Sequence, residues 1–551
     1  GVGAGAGAGA SVGVGAGARG WRWLFLSAVP SSLMLGVTTF VTTDVAPVPL
    51  LWIVPLALYL VAFILPFTAR PLIGHDRALR ALPAAVLVLA FTLLVGSDRL
   101  LWAVVVLHFA SFFVIALACH GELARTRPPP ERLTTFYLVV SSGGALGGVF
   151  NAVVAPVLFN AVWEYPLAVA VVCFIRGAMP GDDASTVDGD SWEDIAGEGN
   201  AASRRARRRF REAALPVMVL AVLAIAMRLL RTADDTWRFF VLAQLVATGC
   251  AMAWFWRERR ARFARLVTAM LAAPVVASIG GGLLFQGRSF FSVHRVIDDV
   301  AAHRHLYVQG TTVHGLQSTL PDRRRIAGAY FHATGPAGQV MSRVTAPRVG
   351  LIGLGVASLA TYAEAGQKFT FYEIDPVVAR IAEDPRLFTF VADARGRGAI
   401  VNVVLGDARL RLAEAANSAY DLLVLDAYSS DVVPVHLLTR EALDLYFAKV
   451  APHGFLLMNM SNRYLDLGRV VSALARDAGL TAREWLDDVD TEEAHEAARL
   501  DGKAVSRWIL VARSASDLDM LDLATAWTPL APTHARPWTD DYVNIVGSIR
   551  L

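Results

Sequence analysis

Four short stretches in the last third of the chain carry residues whose types and spacing point to one kind of chemistry. The first is Gly353-Leu-Gly355-Val-Ala-Ser358, which directly follows the apolar Val349-Gly-Leu-Ile352. Glycines at a strand-to-helix turn let the backbone approach a ligand closely. Twenty residues after Gly353 stands Glu373, at the end of the next apolar stretch in Phe371-Tyr-Glu-Ile-Asp375. An acid there can accept both hydroxyls of a ribose. A dinucleotide fingerprint would place a third glycine to seat a pyrophosphate on a helix N-terminus. Ser358 holds that place, so a nucleoside without pyrophosphate fits better.

The third stretch, Gly406-Asp407-Ala408, offers a carboxylate that can take a hydrogen bond from an adenine amino group. The fourth runs from Leu425-Asp426 through Tyr428, Ser429, Ser430 and Asp431 to His436. Two carboxylates on one loop beside a nucleoside site can hold a cationic substrate and take a proton from its amine. Each stretch has a plainer reading: an ordinary glycine turn, a turn aspartate, or Asp431 shaping a turn with Ser429 and Ser430. The first three, in the right order on successive strands, are hard to reach by chance.

Those strands have to be positioned by something. The pattern predicts strands over Arg348–Gly353, Phe369–Tyr372, Val401–Leu405, Asp421–Leu425, Gly454–Asn459 and Ser506–Ala512. Helices are expected over Val377–Ala382, Leu437–Val450 and Leu467–Ala478. Strands alternating with helices argue for a parallel, doubly wound sheet. Its ligands lie at the carboxyl ends of the strands, where all four stretches fall. Ahead of it, Ser289–Asp298 and His305–Thr312 alternate apolar and polar positions, predicting a small β-hairpin region.

The composition is 55% hydrophobic and 18% charged, against about 25% charged in an ordinary soluble domain. The long apolar runs lie before Phe285. Nine of them approach the length of a bilayer span: Trp23–Val41, Val48–Phe67, Leu79–Gly96, Leu101–Cys119, Phe136–Phe159, Ala161–Ile175, Leu215–Leu230, Phe239–Trp256 and Leu266–Phe285. The sixth is short, so eight or nine spans are expected. Loops rich in arginine (70–80, 125–132, 204–211 and 257–262) alternate with loops that carry little charge. The positive-inside rule puts the basic loops in the cytoplasm. His108 and Glu164 are the ionisable residues of interest within the runs, each readable as a packing or interfacial residue. The domains expected are a disordered Gly/Ala-rich tail over 1–20 and a membrane region over 21–286 with a charged loop over 177–213. A small β-domain over 287–345 and a Rossmann-type nucleoside-binding domain over 346–551 follow. A net charge of +3 is too small to argue for nucleic acid, and the three cysteines fall in or beside apolar runs, with no metal-ligand spacing.

Together these residues resemble the spermidine synthase (polyamine aminopropyltransferase) family, in particular bacterial forms fused to a membrane region. The resemblance runs from about Arg288 to Leu551 and includes His314-Gly-Leu-Gln317, Tyr330-Phe-His332 and Gly338-Gln339. It implies a small β-domain leading into a class I methyltransferase-like Rossmann domain that takes decarboxylated S-adenosylmethionine (AdoMet) as cosubstrate. Carried over position by position, Gly353 and Gly355 form the turn, Glu373 binds the ribose, and Asp407 with Ala408 the adenine. Gln317 and Tyr330 line the cosubstrate or polyamine pocket. Asp426 matches the catalytic aspartate, and Asp431, with Tyr428 and Ser429, serves the amine substrate.

Two departures stand out. Val356 occupies the place of the family's turn aspartate, which holds the aminopropyl amine, and Asp426 and Asp431 are separated by four residues, a stretched form of the family's loop. The leading expectation is therefore a multi-pass inner-membrane aminopropyltransferase acting on a polyamine. It would need no metal, keep its catalytic domain in the cytoplasm, and leave room for a homodimer. A methyltransferase using AdoMet itself and a polyamine- or nucleoside-sensing transporter are the alternatives.

Overall fold

The computed structural model describes residues 11–42, 51–96, 101–175, 201–230, 235–278, 282–310, 312–427, 434–462, 465–488 and 492–549. The chain forms two compact units, the second beginning in the main at Gly282.

In the first unit each of the nine apolar runs falls on a helix, but fewer reach spanning length than the eight or nine expected. Six segments among the described residues are long and apolar enough to cross a membrane: Gly20–Phe40, His75–Val95, Trp102–Arg125, Pro130–Leu158, Thr236–Phe255 and Arg260–Ser278. Ile53–Phe67, Glu164–Phe174 and Ala213–Leu229 are shorter. The last of these belongs to a helix that starts at Ala201, whose first half is spent on arginines. Only 28% of the apolar window in Pro130–Leu158 and 22% of that in Thr236–Phe255 are buried within the protein. Leu138, Val157 and Phe255 stand exposed on them, a surface that calls for an apolar solvent.

Two groups of polar side chains inside this unit pair across helices. His108 bonds Thr92 Oγ1 (2.8 Å) and Tyr165 Oη (2.7 Å), a helix-packing arrangement. Glu164 opens its helix, in the first turn where a carboxylate suits the helix dipole. The buried Glu122, absent from the sequence reading, gathers Arg22 (2.6 Å), His75 (2.9 Å) and Arg125 (3.3 Å).

Two boundaries differ from expectation. The first helix starts at Ser11, inside the tail expected to be disordered. The last apolar run, expected to span through Phe285, is helical only to Ser278, and its final residues, Leu283–Phe285, join a strand.

The second unit opens with four antiparallel strands in sequential order: β1 (Leu283–Arg288), β2 (Val293–Asp299), β3 (Arg304–Gln309) and β4 (Thr312–Ser318). The expected hairpin is thus the centre of a larger sheet. The remainder is an α/β Rossmann-type domain built on an eight-stranded sheet. Its strands are β5 (Arg348–Ile352), β6 (Lys368–Glu373), β7 (Ile400–Leu405), β8 (Tyr420–Leu425), β9 (Val450–Asn459), β10 (Thr481–Asp487), β11 (Ser506–Ala512) and β12 (Thr528–Pro529). They lie in the order β12-β10-β11-β9-β8-β5-β6-β7. Strands β5 to β9 pair in parallel. The expected parallel sheet covers β5 to β9, and one edge departs from it: β11 slots between β9 and β10 and runs antiparallel to both. Strand β10 went unseen because its sequence, TAREWLD, is half charged and only partly buried.

Alternation along the strands splits the core across the sheet. Val349, Leu351, Phe369, Phe371, Val424 and Trp508 pack on one face; Ile352, Tyr372, Leu423, Leu425, Met458 and Ile509 pack on the other.

At the carboxyl ends the ladder continues into the loops and locks their positions. Asp426 N donates to Ile352 O (2.8 Å), Gly353 N to Tyr372 O (2.9 Å) and Gly406 N to Glu373 O (2.9 Å). Gly353 sits at φ +98°, and a β-carbon there would collide with the Asp426 carbonyl oxygen. Gly353→Ala therefore combines left-handed strain with a backbone clash, on the order of 1–3 kcal/mol. The unfolding midpoint of the detergent-solubilised chain should drop by several degrees; an unchanged midpoint would contradict the crowding of this turn.

Candidate functional site

A cavity of about 330 Å³ opens at these strand ends, within the second unit. Its wall brings together Gly353, Gly355, Glu373, Asp407, Ala408, Asp426 and Tyr330, seven of the residues singled out in the sequence. Tyr428, Ser429 and Asp431 lie outside the described residues. Gln317 is not among the cavity-lining residues. Its amide nitrogen donates to Arg324 O and Thr389 Oγ1 (2.8 Å each), and its oxygen accepts from Thr389 N (2.7 Å). These bonds give it a fastening role between β4 and the Rossmann domain.

The glycine turn is built from alternate left-handed residues, Gly353, Gly355 (φ +53°) and Ala357 (φ +61°). It leads into a 3₁₀ turn, Ser358–Tyr362, in place of a long helix. Such a short turn has little macrodipole to offer a phosphate, in keeping with a ligand that lacks pyrophosphate.

Glu373 ends β6, buried. One oxygen accepts from Leu354 N (3.1 Å), in the turn, and the other from Asp375 N (2.8 Å). Each oxygen keeps a lone pair for a further donor. Burial pushes its pKa up to about 7, against the pull of those amides. Asp407 caps the helix Ala408–Ala413 through Leu410 N (3.0 Å), and its other oxygen lies 3.2 Å from His436 Nε2. Asp426, just past the end of β8, is lifted to about 7 by desolvation, opposed by the hydrogen bond from Asn459 Nδ2 (2.7 Å). Asn459 is itself oriented by Ser461 N, which donates to its oxygen (3.0 Å).

Sequence reasoning missed a second polar group in the same wall. Asp375 caps the helix Pro376–Glu383 through Val377 N (2.8 Å) and faces the four-stranded sheet, where Ser289 Oγ (2.5 Å) and His294 Nε2 (3.1 Å) meet its other oxygen. Burial raises its pKa, but His294, Ser289 and the Val377 amide outweigh that and bring it below the ordinary value. The signal was present as an aspartate before a proline at a helix start. Its partners come from a strand eighty residues earlier, which spacing cannot reveal. His314, also in the wall, is pushed down to about 4 by burial and by His294.

The cavity therefore presents four carboxylates, Glu373, Asp375, Asp407 and Asp426, and no Lys or Arg among its described lining residues. Phe291, Tyr307, Tyr330, Phe331, Tyr372 and Leu437 supply apolar and aromatic surface.

No family model matches the chain. Over 103 residues, 17% of its length, it is 38% identical to the polyamine aminopropyltransferase of Vibrio vulnificus (strain CMCP6); that stretch is 31% of the relative's length. Among solved structures, a probable spermidine synthase from Corynebacterium glutamicum ATCC 13032 matches 47% of this chain and 96% of its own, at 15% identity and a TM-score of 0.33. The spermidine synthase of Thermotoga maritima matches 49% and 84%, at 12% identity and a TM-score of 0.33.

Val356, the turn position that departs from the resembled pattern, is 1% exposed and packs in the core. A side chain on Gly315 would strike it. Position 356 is therefore a packing position rather than part of the described cavity wall.

The raised pKa of Glu373 has a consequence for stability. The folded chain holds a proton up to about 7, whereas the ordinary value is 4.5. Between those values the folded state binds more protons than the unfolded one, so stability of the ligand-free fold falls as pH rises through this window. Glu373→Gln stays neutral and removes that share of the fall. Comparing unfolding midpoints at about pH 5 and about pH 8 should show a shallower decline in the variant; identical declines would rule out Glu373 as a buried titrating group.

Proposed function

We propose that the C-terminal half is a transferase that moves an aminopropyl group from decarboxylated AdoMet to a polyamine amine. The observation that carries this reading is the cavity's charge: four carboxylates and no described Lys or Arg suit a ligand pair bearing a sulfonium and ammonium groups. The likeness to a polyamine aminopropyltransferase supports it. A solved spermidine synthase bound to the transition-state analogue AdoDATO supports the cosubstrate class, as a property of that protein.

In this reading Glu373 accepts the ribose hydroxyls on its free lone pairs, and Asp407 with Ala408 receives the adenine. The amine nitrogen attacks the aminopropyl carbon beside the sulfonium. A C–N bond forms, the C–S bond breaks with its electrons passing to sulfur, and methylthioadenosine leaves. Asp426 takes a proton from the acceptor's ammonium, so that its nitrogen attacks as a neutral amine. A pKa of about 7 suits a base working near neutrality. Because the sulfonium is already an activated leaving group, the protein supplies mainly orientation and that base. Asp431, outside the described residues, would anchor the distal ammonium of the acceptor, with Tyr330, Tyr428 and Ser429 alongside. The six apolar helices support a multi-pass membrane protein; an inner-membrane location, a cytoplasmic catalytic domain and a homodimer belong to the proposal.

A second reading, methyl transfer from AdoMet itself, draws on Val356. With that position packed in the core, no turn carboxylate repels the AdoMet carboxylate. The acidic wall weighs the other way.

Asp426→Asn keeps the shape and removes the proton acceptor. Turnover, followed as methylthioadenosine released from decarboxylated AdoMet, should fall by about 10²- to 10⁴-fold, with cosubstrate affinity nearly intact. In the parent enzyme the rate should rise with pH through about 7, as Asp426 loses its proton. Unchanged methylthioadenosine release in the variant would remove Asp426 as the base, whereas a parent enzyme that releases none from decarboxylated AdoMet and an amine would remove aminopropyl transfer as the reaction and favour methyl transfer.

A further inference from the structure

We infer that Gln309, on the four-stranded sheet's side of the cavity, is a fixed hydrogen-bond acceptor for a primary ammonium group of the ligand. The inference rests on the reading above that the cavity takes a nucleoside and an amine.

The argument begins with register. His294 on β2 lies directly opposite Gln309 on β3, and Tyr307, two residues from Gln309, shares its face. The three side chains therefore meet. The Asp375 carboxylate can only accept, so His294 Nε2, 3.1 Å away, carries a proton toward it. His294 Nδ1 lies 2.8 Å from Tyr307 Oη. Gln309 Nε2 donates to the Tyr307 oxygen at 2.5 Å and lies 3.2 Å from His294 Nδ1. The amide nitrogen is thus turned toward Tyr307 and His294, and the amide oxygen away from both.

That oxygen is the unexplained group. Gln309 is 7% exposed and lines the cavity, and its Oε1 is buried with no hydrogen-bond partner among the described residues. A buried amide oxygen without a donor is costly, and a ligand N–H would satisfy it. The neighbouring wall decides which donor. Glu373 and Asp375 both act on Tyr307 electrostatically, and no described lining residue is Lys or Arg, so a cationic donor is preferred to a neutral one. Val356, where the family resemblance places an amine-holding aspartate, is in the core, which leaves the ligand's ammonium in need of another acceptor.

The ammonium could be the cosubstrate's aminopropyl amine or the acceptor's own. Three probes on the full chain in detergent separate them: decarboxylated AdoMet, methylthioadenosine (the same nucleoside without the amine) and putrescine. Gln309→Leu should weaken decarboxylated AdoMet about tenfold or more and leave methylthioadenosine unchanged, which assigns the cosubstrate's amine. Loss of putrescine affinity alone assigns the acceptor's amine. Gln309→Glu, which keeps an acceptor oxygen, should retain amine binding where Gln309→Leu loses it. If neither nucleoside binds the parent chain but putrescine does, in a Gln309-dependent manner, the nucleoside reading falls and the ammonium site stands. Equal loss of methylthioadenosine and decarboxylated AdoMet, or amine affinity indifferent to Gln309, overturns the inference.

Discussion

The cavity depends on one buried carboxylate. Glu373 ties the glycine turn to the end of β6 through Leu354 N and holds the start of the next helix through Asp375 N. Removing it would release two backbone donors inside the core, each costing about 1–3 kcal/mol if left unmade. The same burial that makes these bonds strong lifts its pKa to about 7. Glu373 is therefore at once a structural tie and a group whose charge a cationic ligand would stabilise.

A second carboxylate raised to the same range, Asp426, lies across the turn, where its backbone packs against Gly353 with no space for a side chain. Two acids pushed up by desolvation in one cavity mark a candidate functional site. Asp375 differs from both because His294 and Ser289 bring its pKa below the ordinary value. The wall thus combines one committed anion with two acids poised near neutrality. That division suits proton removal from an amine beside a fixed positive centre.

The sequence made the parallel half of the sheet legible because its strands are near-continuous apolar runs, each ending in a turn with glycine or aspartate. Glu373 and Asp426 could be named because strand ends convert chain position into spatial position. The antiparallel edge was hidden by the charges of β10. The His294–Tyr307–Gln309 group was hidden because cross-strand register, not spacing, brings it together. Gln317 looked like a pocket residue, yet its amide is spent on Arg324 and Thr389. In the N-terminal half, hydropathy located the apolar helices among the described residues, six of them long enough to span and three shorter.

The central claim is that this cavity receives a nucleoside with its ribose on Glu373. Titration calorimetry of methylthioadenosine with the full chain, parent against Glu373→Ala, tests it most directly. Loss of a charge-assisted acceptor, about 1.5–3 kcal/mol, predicts affinity weakened by about tenfold or more. Equal affinity in the two proteins would mean that the ribose lies elsewhere and that Glu373 is a structural tie alone.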